Sequence, residues 1–203
     1  MNYLNKNYTF SLIVVTSVLL LSFQRFLLAE NDKKDTKDFA DKHGAFMTGE
    51  VKDYFVKGNN YWRNGQYQLA IETFEKLLQI NPNYAKAYDN LGGAYYSSGQ
   101  SEKAINSYQK SIQIDSRSAV PYQGLGIVYA GMGQYQEALN YFQKAVEIDN
   151  NYAAAYQGLG CAYHSLNKYR EAKENLNKAK DLLNRKGDYK TASEIDSFLK
   201  NIP

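Results

Sequence analysis

A tyrosine recurs every 34 residues along this chain, and a second tyrosine follows each of the first seven residues later. The first series is Tyr54, Tyr88, Tyr122 and Tyr156, and the second is Tyr61, Tyr95, Tyr129 and Tyr163. A repeated unit of this length cannot bury its own apolar face, so consecutive units must stack on one another. The sequence therefore predicts an array of four similar units, which exposes a long groove rather than a closed catalytic pocket.

Each unit reads as two helices joined by a turn. In the first unit, Tyr54, Gly58 and Tyr61 are spaced to share one helix face. Gly65 ends this helix because glycine adopts the left-handed conformation without a Cβ penalty. The second helix carries an apolar stripe and stops before Pro82, which cannot donate a backbone hydrogen bond. That stripe is Ala70, Phe74, Leu77 and Ile80, and the first helices of the other units stop at Gly99, Gly133 and Asn167.

Glycine also keeps the 34-residue period inside the first helices. A glycine in the middle of a helix is about 1 kcal/mol less favourable than alanine, so four in one register indicate a packing requirement. We expect the small residues at 58 and 70, and their equivalents, to let two helix backbones approach closely. The four glycines are Gly58, Gly92, Gly126 and Gly160.

These residues resemble the tetratricopeptide repeat family over about residues 51–184. The third unit shows the pattern most clearly, with Tyr122-Gln-Gly-Leu-Gly-Ile-Val-Tyr129 followed by Ala138, Phe142 and Ala145. The resemblance implies an all-α fold, a right-handed α-solenoid of four helix-turn-helix units over residues 49–203. The units are predicted at about 51–84, 85–118, 119–152 and 153–186. Solenoid ends need a cover, and the apolar side of residues 188–201 predicts a C-terminal capping helix.

The resemblance further implies that the concave side holds a peptide of another protein. That side is formed by the first helix of each unit, on the face turned away from the second helix. Its predicted lining changes from aromatic and charged to small, uncharged and rich in amides, which can both donate to and accept from an extended backbone. The predicted groove residues are Lys52, Phe55, Asn59, Trp62, Arg63, Lys86, Asp89, Asn90, Tyr96, Gln123, Ile127, Gln157, Cys161 and His164.

One subset of the family clamps the C-terminal carboxylate of chaperones with two asparagines and several basic residues. Asn59 and Asn90 match its asparagines, but Phe55 stands in place of its first lysine. Its later basic pair falls at Val120 and Gly124. We therefore predict that an acidic chaperone tail is not the ligand.

The first 29 residues contain a hydrophobic leader. Lys6 is followed by 18 uncharged residues with an apolar centre from Phe10 to Leu21, which is typical of an export signal cleaved after Ala29. An uncut membrane anchor is the alternative, because 18 helical residues span about 27 Å of a bilayer core of about 30 Å. Lysines and Arg25 after the stretch favour an anchor with the repeats facing the cytoplasm. Residues 30–48 are predicted to form a flexible tether. The expected location is the cell envelope, exported or membrane-anchored.

Composition and motifs argue against other functions. A net charge of +3 without clustered Lys or Arg argues against nucleic acid as a partner. No cofactor is predicted, since Gly124-Leu-Gly126 lacks the third glycine of a dinucleotide fingerprint. Cys161 and His164 could face each other on a helix, but no third group completes a catalytic or metal site.

The sequence therefore predicts a non-enzymatic adaptor that binds partner proteins or peptides in a cell-envelope or membrane-associated assembly. The alternative is a self-assembling scaffold, a homo-oligomer joined through the solenoid ends. A third hypothesis, an enzyme that uses Cys161 and His164, lacks an orienting group for the imidazole.

Overall fold

The computed structural model of the chain describes residues 49–203, and within that range all regular structure is helical. The predicted leader (1–29) and tether (30–48) lie outside the described residues. Among residues 49–203, no helix has the length and apolar character needed to cross a bilayer. The helices are α1 Gly49–Arg63, α2 Tyr67–Ile80, α3 Ala85–Ser97, α4 Ser101–Ile114, α5 Ala119–Gly131, α6 Tyr135–Ile148, α7 Ala153–Ser165, α8 Tyr169–Lys186 and α9 Tyr189–Leu199.

Short turns join the helices into pairs at the predicted stops. Gly65, Gly99 and Gly133 have φ angles of 73°, 82° and 77°, and Asn167 has a φ of 59°. These are left-handed conformations, which glycine adopts freely and asparagine tolerates better than most residues. Each turn reverses the chain, so the two helices of a pair lie side by side.

The described residues form two compact halves, residues 49–124 (the N-terminal half) and residues 125–203 (the C-terminal half). The boundary falls inside α5. In the N-terminal half α1 packs on α2, α2 on α3, and α3 on α4. In the C-terminal half α6 packs on α7, α7 on α8, and α8 on α9. Each of these helices therefore rests on its neighbours in sequence within its own half, as expected for stacked repeats.

An aromatic ring fills the space beside most of the repeated glycines. A Cβ atom on Gly126 would lie 2.6 Å from the Phe142 ring of α6, and one on Gly158 would lie 2.4 Å from the same ring. Phe142 is completely buried. The two glycines therefore leave room for this ring, which any other side chain at either position would displace.

The same arrangement recurs in the N-terminal half, where the ring of Tyr108 lies against Gly92 and Gly124. These glycines accommodate a ring of the second helix, which the sequence did not predict, and a close approach of two backbones at the same positions stays a prediction. Gly160 alone has a backbone atom among its nearest neighbours: its Cβ position lies 2.5 Å from Leu176 and 3.2 Å from the carbonyl oxygen of Ala172.

The predicted capping helix is present as α9. Asp188 caps its N-terminus by accepting a hydrogen bond from the backbone N–H of Thr191 at 3.1 Å. Ile195 of α9 and Ile202 beyond it belong to a buried cluster with Leu176 of α8. The apolar side of α9 therefore covers apolar residues of α8 that would otherwise meet solvent.

Candidate functional site

The predicted groove residues differ widely in exposure. Lys52 and Arg63 are exposed, and Lys86, Tyr96 and His164 are half-buried. Groove residues that are fully buried cannot all be direct ligand contacts in the described conformation, so the contacts of each one matter. The buried members are Phe55, Asn59, Trp62, Asp89, Asn90, Gln123, Ile127, Gln157 and Cys161.

The structure brings the two predicted asparagines together. Asn90 of α3 donates a hydrogen bond from Nδ2 to Oδ1 of Asn59 of α1 at 2.7 Å, and both side chains are buried. Buried amides are normally satisfied in this way. The bond links the first helices of two consecutive units and fixes the orientation of both amides.

Two of the predicted aromatic groove residues pack against the protein itself. The Phe55 ring lies 5.3 Å from the Tyr84 ring and 6.4 Å from the Phe74 ring. Trp62 donates a hydrogen bond from Nε1 to Oγ of Ser97 at 3.1 Å. Both side chains therefore stabilise the packing of the N-terminal half. A role in binding a ligand stays a prediction for each.

Asp89 is a buried carboxyl group on α3 with an unpaired oxygen. Its Oδ1 atom has no hydrogen-bond partner among residues 49–203. Burial raises the pKa of Asp89 to about 7; nearby Ser111 and Lys86 lower that pKa, and Asp115 raises it further. Burial therefore favours the protonated form of this carboxyl group up to a much higher pH than for an exposed aspartate.

Two hydroxyl groups of α4 lie beside this carboxyl, and neither residue is among those predicted from the sequence to line the groove. The hydroxyl of Tyr108 is buried and has no hydrogen-bond partner within the described part of the chain, and the buried Ser111 hydroxyl lies close enough to Asp89 to lower its pKa. Burial is the main cause of the raised pKa of Tyr108, and the charge of Asp89 adds to it. The sequence signal that could have identified them is their position in the repeat, where the other units carry apolar side chains without a hydroxyl group. The equivalents of Tyr108 are Phe74, Phe142 and Leu176, and those of Ser111 are Leu77, Ala145 and Ala179.

Gln123 of α5 occupies the same register position in its unit as Asp89 does in the preceding one. Its side chain is 2% exposed, and its Oε1 atom finds no hydrogen-bond donor in residues 49–203. Unpaired buried acceptors are uncommon in native proteins, because each one loses its hydrogen bonds to water. Asp89 and Gln123 are therefore two acceptors that a bound donor would satisfy.

Cys161 and His164 do not have the environment of a catalytic pair. Burial raises the pKa of the Cys161 thiol to about 12, opposite to the change that activates a nucleophilic cysteine. The His164 ring lies 5.2 Å from Phe198 and 5.6 Å from Tyr169, and burial lowers its pKa. Within residues 49–203, no three His, Cys, Asp or Glu side chains are grouped so that they could hold a metal ion.

Comparisons with known proteins agree with this architecture. The family model for the tetratricopeptide repeat matches residues 54–117 and 122–185. None of the curated proteins matches the sequence. Among solved structures, the crystal structure of MamA is 25% identical with a TM-score of 0.59, over 84% of this chain and 90% of that one.

Two further solved structures are similar. The TPR domain of Sgt2 from Aspergillus fumigatus is 25% identical with a TM-score of 0.57, over 61% of this chain and 83% of that one. The first TPR of Spaghetti (RPAP3), solved with the HSP90 peptide SRMEEVD bound, is 19% identical with a TM-score of 0.54. That alignment covers 58% of this chain and 94% of the other.

The family match covers more than half of the chain, and the helix pairs, left-handed turns and capping helix follow the family's pattern. The predicted fold class, an all-α solenoid of helix-turn-helix repeats, is confirmed. The chain belongs to the tetratricopeptide repeat family.

Proposed function

We propose that this chain is a non-enzymatic adaptor that binds an extended segment of a partner protein along the first helices of its units. Membership of the repeat family supports a role in protein–protein interaction. The structural similarity to repeats that hold an HSP90 peptide supports a peptide as the form of the ligand. A preformed array of helices lowers the ordering cost of binding, because the backbone of the helices is already ordered before the partner arrives.

The observation that carries the proposal is the pair of unpaired acceptors, Asp89 Oδ1 and Gln123 Oε1. Both belong to first helices and to the predicted groove. Both oxygens are buried in the described conformation, so a partner segment reaches them only after a local rearrangement of the first helices exposes them. Backbone N–H groups can then satisfy both, and a lysine or arginine suits the carboxylate best because charge-assisted hydrogen bonds are the stronger kind. The adaptor is therefore expected to select segments with a basic residue.

The selection can be tested with two pools of fluorescent nine-residue peptides. The pools are identical in their randomised positions, and only the central residue is fixed, as Lys in one pool and as Glu in the other. We expect the Lys pool to bind roughly tenfold more tightly in fluorescence polarisation, as for one charge-assisted hydrogen bond. This preference should be larger at pH 8 than at pH 6, because the pKa of Asp89 is about 7.

Asp89→Asn should remove the preference for lysine and leave the weaker binding common to both pools. Asp53→Asn, at an exposed position of α1, is the matched control and should change neither pool. Equal affinities of both pools for the unaltered protein, or a preference for Glu, would contradict the selection by Asp89. No binding of either pool at millimolar concentration would contradict the adaptor function itself.

We also propose that the adaptor works in the cell envelope, after export or while anchored in the membrane. The support is the uncharged run that follows Lys6 and the mixed-charge residues after it. Mass spectrometry of the protein purified from its native cells should find a chain that begins near Glu30, or the intact chain in the membrane fraction. An intact chain in the soluble cytoplasmic fraction would contradict both forms. Self-assembly through the ends stays an alternative, which light scattering over a concentration series would reveal.

A further inference from the structure

The second repeat is polar at a place where the first repeat is apolar. In the first repeat the rings of Phe55 and Phe74 lie 6.4 Å apart, one on α1 and the other on α2. The equivalent positions of the second repeat hold Asp89 on α3 and Tyr108 on α4. Equivalent positions of a repeat array have equivalent surroundings, so a carboxyl and a hydroxyl group stand where the neighbouring repeat packs two rings. Polar groups in such a place need a partner other than bulk water.

The hydroxyl group of Tyr108 is held beside both helices that carry the predicted acceptors. A Cβ atom on Gly92 would lie 2.9 Å from Cζ of Tyr108, and one on Gly124 would lie 2.4 Å from the same atom. Cζ is the ring carbon to which the hydroxyl group is bonded. Gly92 follows Asp89 by one turn of α3, and Gly124 is the next residue after Gln123 on α5. The hydroxyl therefore lies near the helix segments of both acceptors.

Three buried oxygens of this cluster have no hydrogen-bond partner in the part of the chain that the structure describes. They are Oδ1 of Asp89, the hydroxyl oxygen of Tyr108 and Oε1 of Gln123. An ionised carboxylate and an amide oxygen only accept hydrogen bonds, and the phenol has a single proton to donate. The cluster therefore cannot satisfy itself. Carboxylate, hydroxyl and amide oxygens are the ligands that hard cations prefer.

The charges around the cluster favour a cation with a single charge. Asp115 raises the pKa of Asp89 more than Lys86 lowers it, so the charged neighbours add to the pull of the carboxylate on positive charge. Asp89 is the one carboxylate among the clustered oxygens, and it balances one positive charge. Pairing a buried carboxylate with a cation offsets the cost of removing its charge from water.

We propose that the N-terminal half binds a small monovalent cation, namely sodium, potassium or ammonium, at a site formed by Asp89, Tyr108, Ser111 and Gln123. The carboxylate supplies the balancing charge, and the hydroxyl and amide oxygens complete the set of ligands. The inference goes beyond the adaptor function, because a free ion occupies the site without any partner segment.

The ion is detected by its effect on thermal unfolding, since a ligand that binds only the folded state stabilises that state. The full 1–203 chain is heated at pH 8 in about 150 mM choline chloride, then in equal concentrations of sodium, potassium and ammonium chloride. Ionic strength is thereby constant, and choline is too large for the site. We expect the preferred small cation to raise the midpoint by about 3–6 °C, as for a dissociation constant of about 10 mM. Equal midpoints in all four salts would overturn the proposal.

Variants at the site use side chains that the chain already has at equivalent positions. Tyr108→Phe copies Phe142, and Ser111→Ala copies Ala145, so both variants should fold. Each removes one hydroxyl oxygen and should raise the dissociation constant, taken from the concentration dependence of the midpoint, at least about threefold. Asp89→Asn removes the charge and should abolish the difference between the salts. A response that persists in Asp89→Asn, or is unchanged in both hydroxyl variants, would rule out this site.

Ser107→Ala is the matched control on the same helix. Its buried hydroxyl already donates to the carbonyl oxygen of Lys103 at 2.9 Å, outside the cluster. This variant should keep the full ion response. A loss equal to that of Ser111→Ala would show that the response reflects the general stability of α4, which contradicts a site at Ser111.

The pH dependence gives a second readout that a purely structural role would not produce. Burial raises the pKa of Asp89 to about 7, while Tyr108 and Tyr96 stay neutral because burial raises the pKa of both. The dissociation constant should therefore be roughly tenfold higher at pH 6 than at pH 8, since the ion must displace a proton at the lower pH. The same affinity at both values, or tighter binding of calcium or magnesium, would overturn the assignment. The peptide pools are measured separately, so failure of the ion site leaves the test of the adaptor function intact.

Discussion

Phe142→Ala should lower the free energy of unfolding by about 3–5 kcal/mol, as measured by urea denaturation followed by circular dichroism. The Phe142 ring is fully buried and lies against Gly126 of α5 and Gly158 of α7. Because neither glycine has a side chain that could move inward, the cavity left by the ring cannot collapse easily. Met132→Ala, at a residue 43% exposed, is the control and should change stability by less than about 0.5 kcal/mol.

The glycine next to the ring provides a sharper form of the same test. Gly126→Ala in the unaltered chain should destabilise by about 1–3 kcal/mol, since its Cβ would lie 2.6 Å from the ring. In the Phe142→Ala background the same change should instead stabilise by up to about 1 kcal/mol, because the ring is gone and alanine is the better helix former. The same sign in both backgrounds would show that Gly126 does not accommodate the ring.

Much of the fold could be predicted because its signals are local and repeated. The helix stops depend on residues that tolerate a positive φ, and these occur at Gly65, Gly99, Gly133 and Asn167 as expected. The capping helix was predictable because its signal is also local: Ala192 and Ile195 lie on one apolar side of the helix. The role of the mid-helix glycines was not predictable from their period, because a small residue permits approach by either a backbone or a ring.

The candidate site was predictable only in part. Register placed Asn59 and Asn90 on neighbouring first helices, and they do meet. Register alone did not show that Phe55 and Trp62 are buried inside the N-terminal half, since burial depends on neighbours distant in sequence. Tyr108 and Ser111 were not predicted because they belong to a second helix, which was expected to pack in the core, and only the fold shows that both lie beside Asp89.

Asp89→Asn should stabilise the protein at pH 8 by up to about 4 kcal/mol and have little effect near pH 4. The pKa of Asp89 is about 7 in the folded chain, mainly because of burial, against about 3.9 for an unfolded aspartate. Between these values the folded state holds a proton that the unfolded state has released, so stability falls as pH rises. A difference of about 3 pKa units at 1.36 kcal/mol each gives the expected magnitude.

The asparagine side chain has nearly the same shape and does not ionise, so it avoids the buried charge and its unfavourable interaction with Asp115. The stability difference between variant and parent should therefore grow from pH 4 to pH 7 and then stay constant, while Asp53→Asn shows no such trend. A variant that is less stable than the parent at pH 8 would mean that Lys86 and Ser111 hold the carboxylate ionised. The same ionisation that lowers stability at pH 8 creates the charge with which a basic ligand would pair, so one residue is the expected source of both pH sensitivity and selectivity.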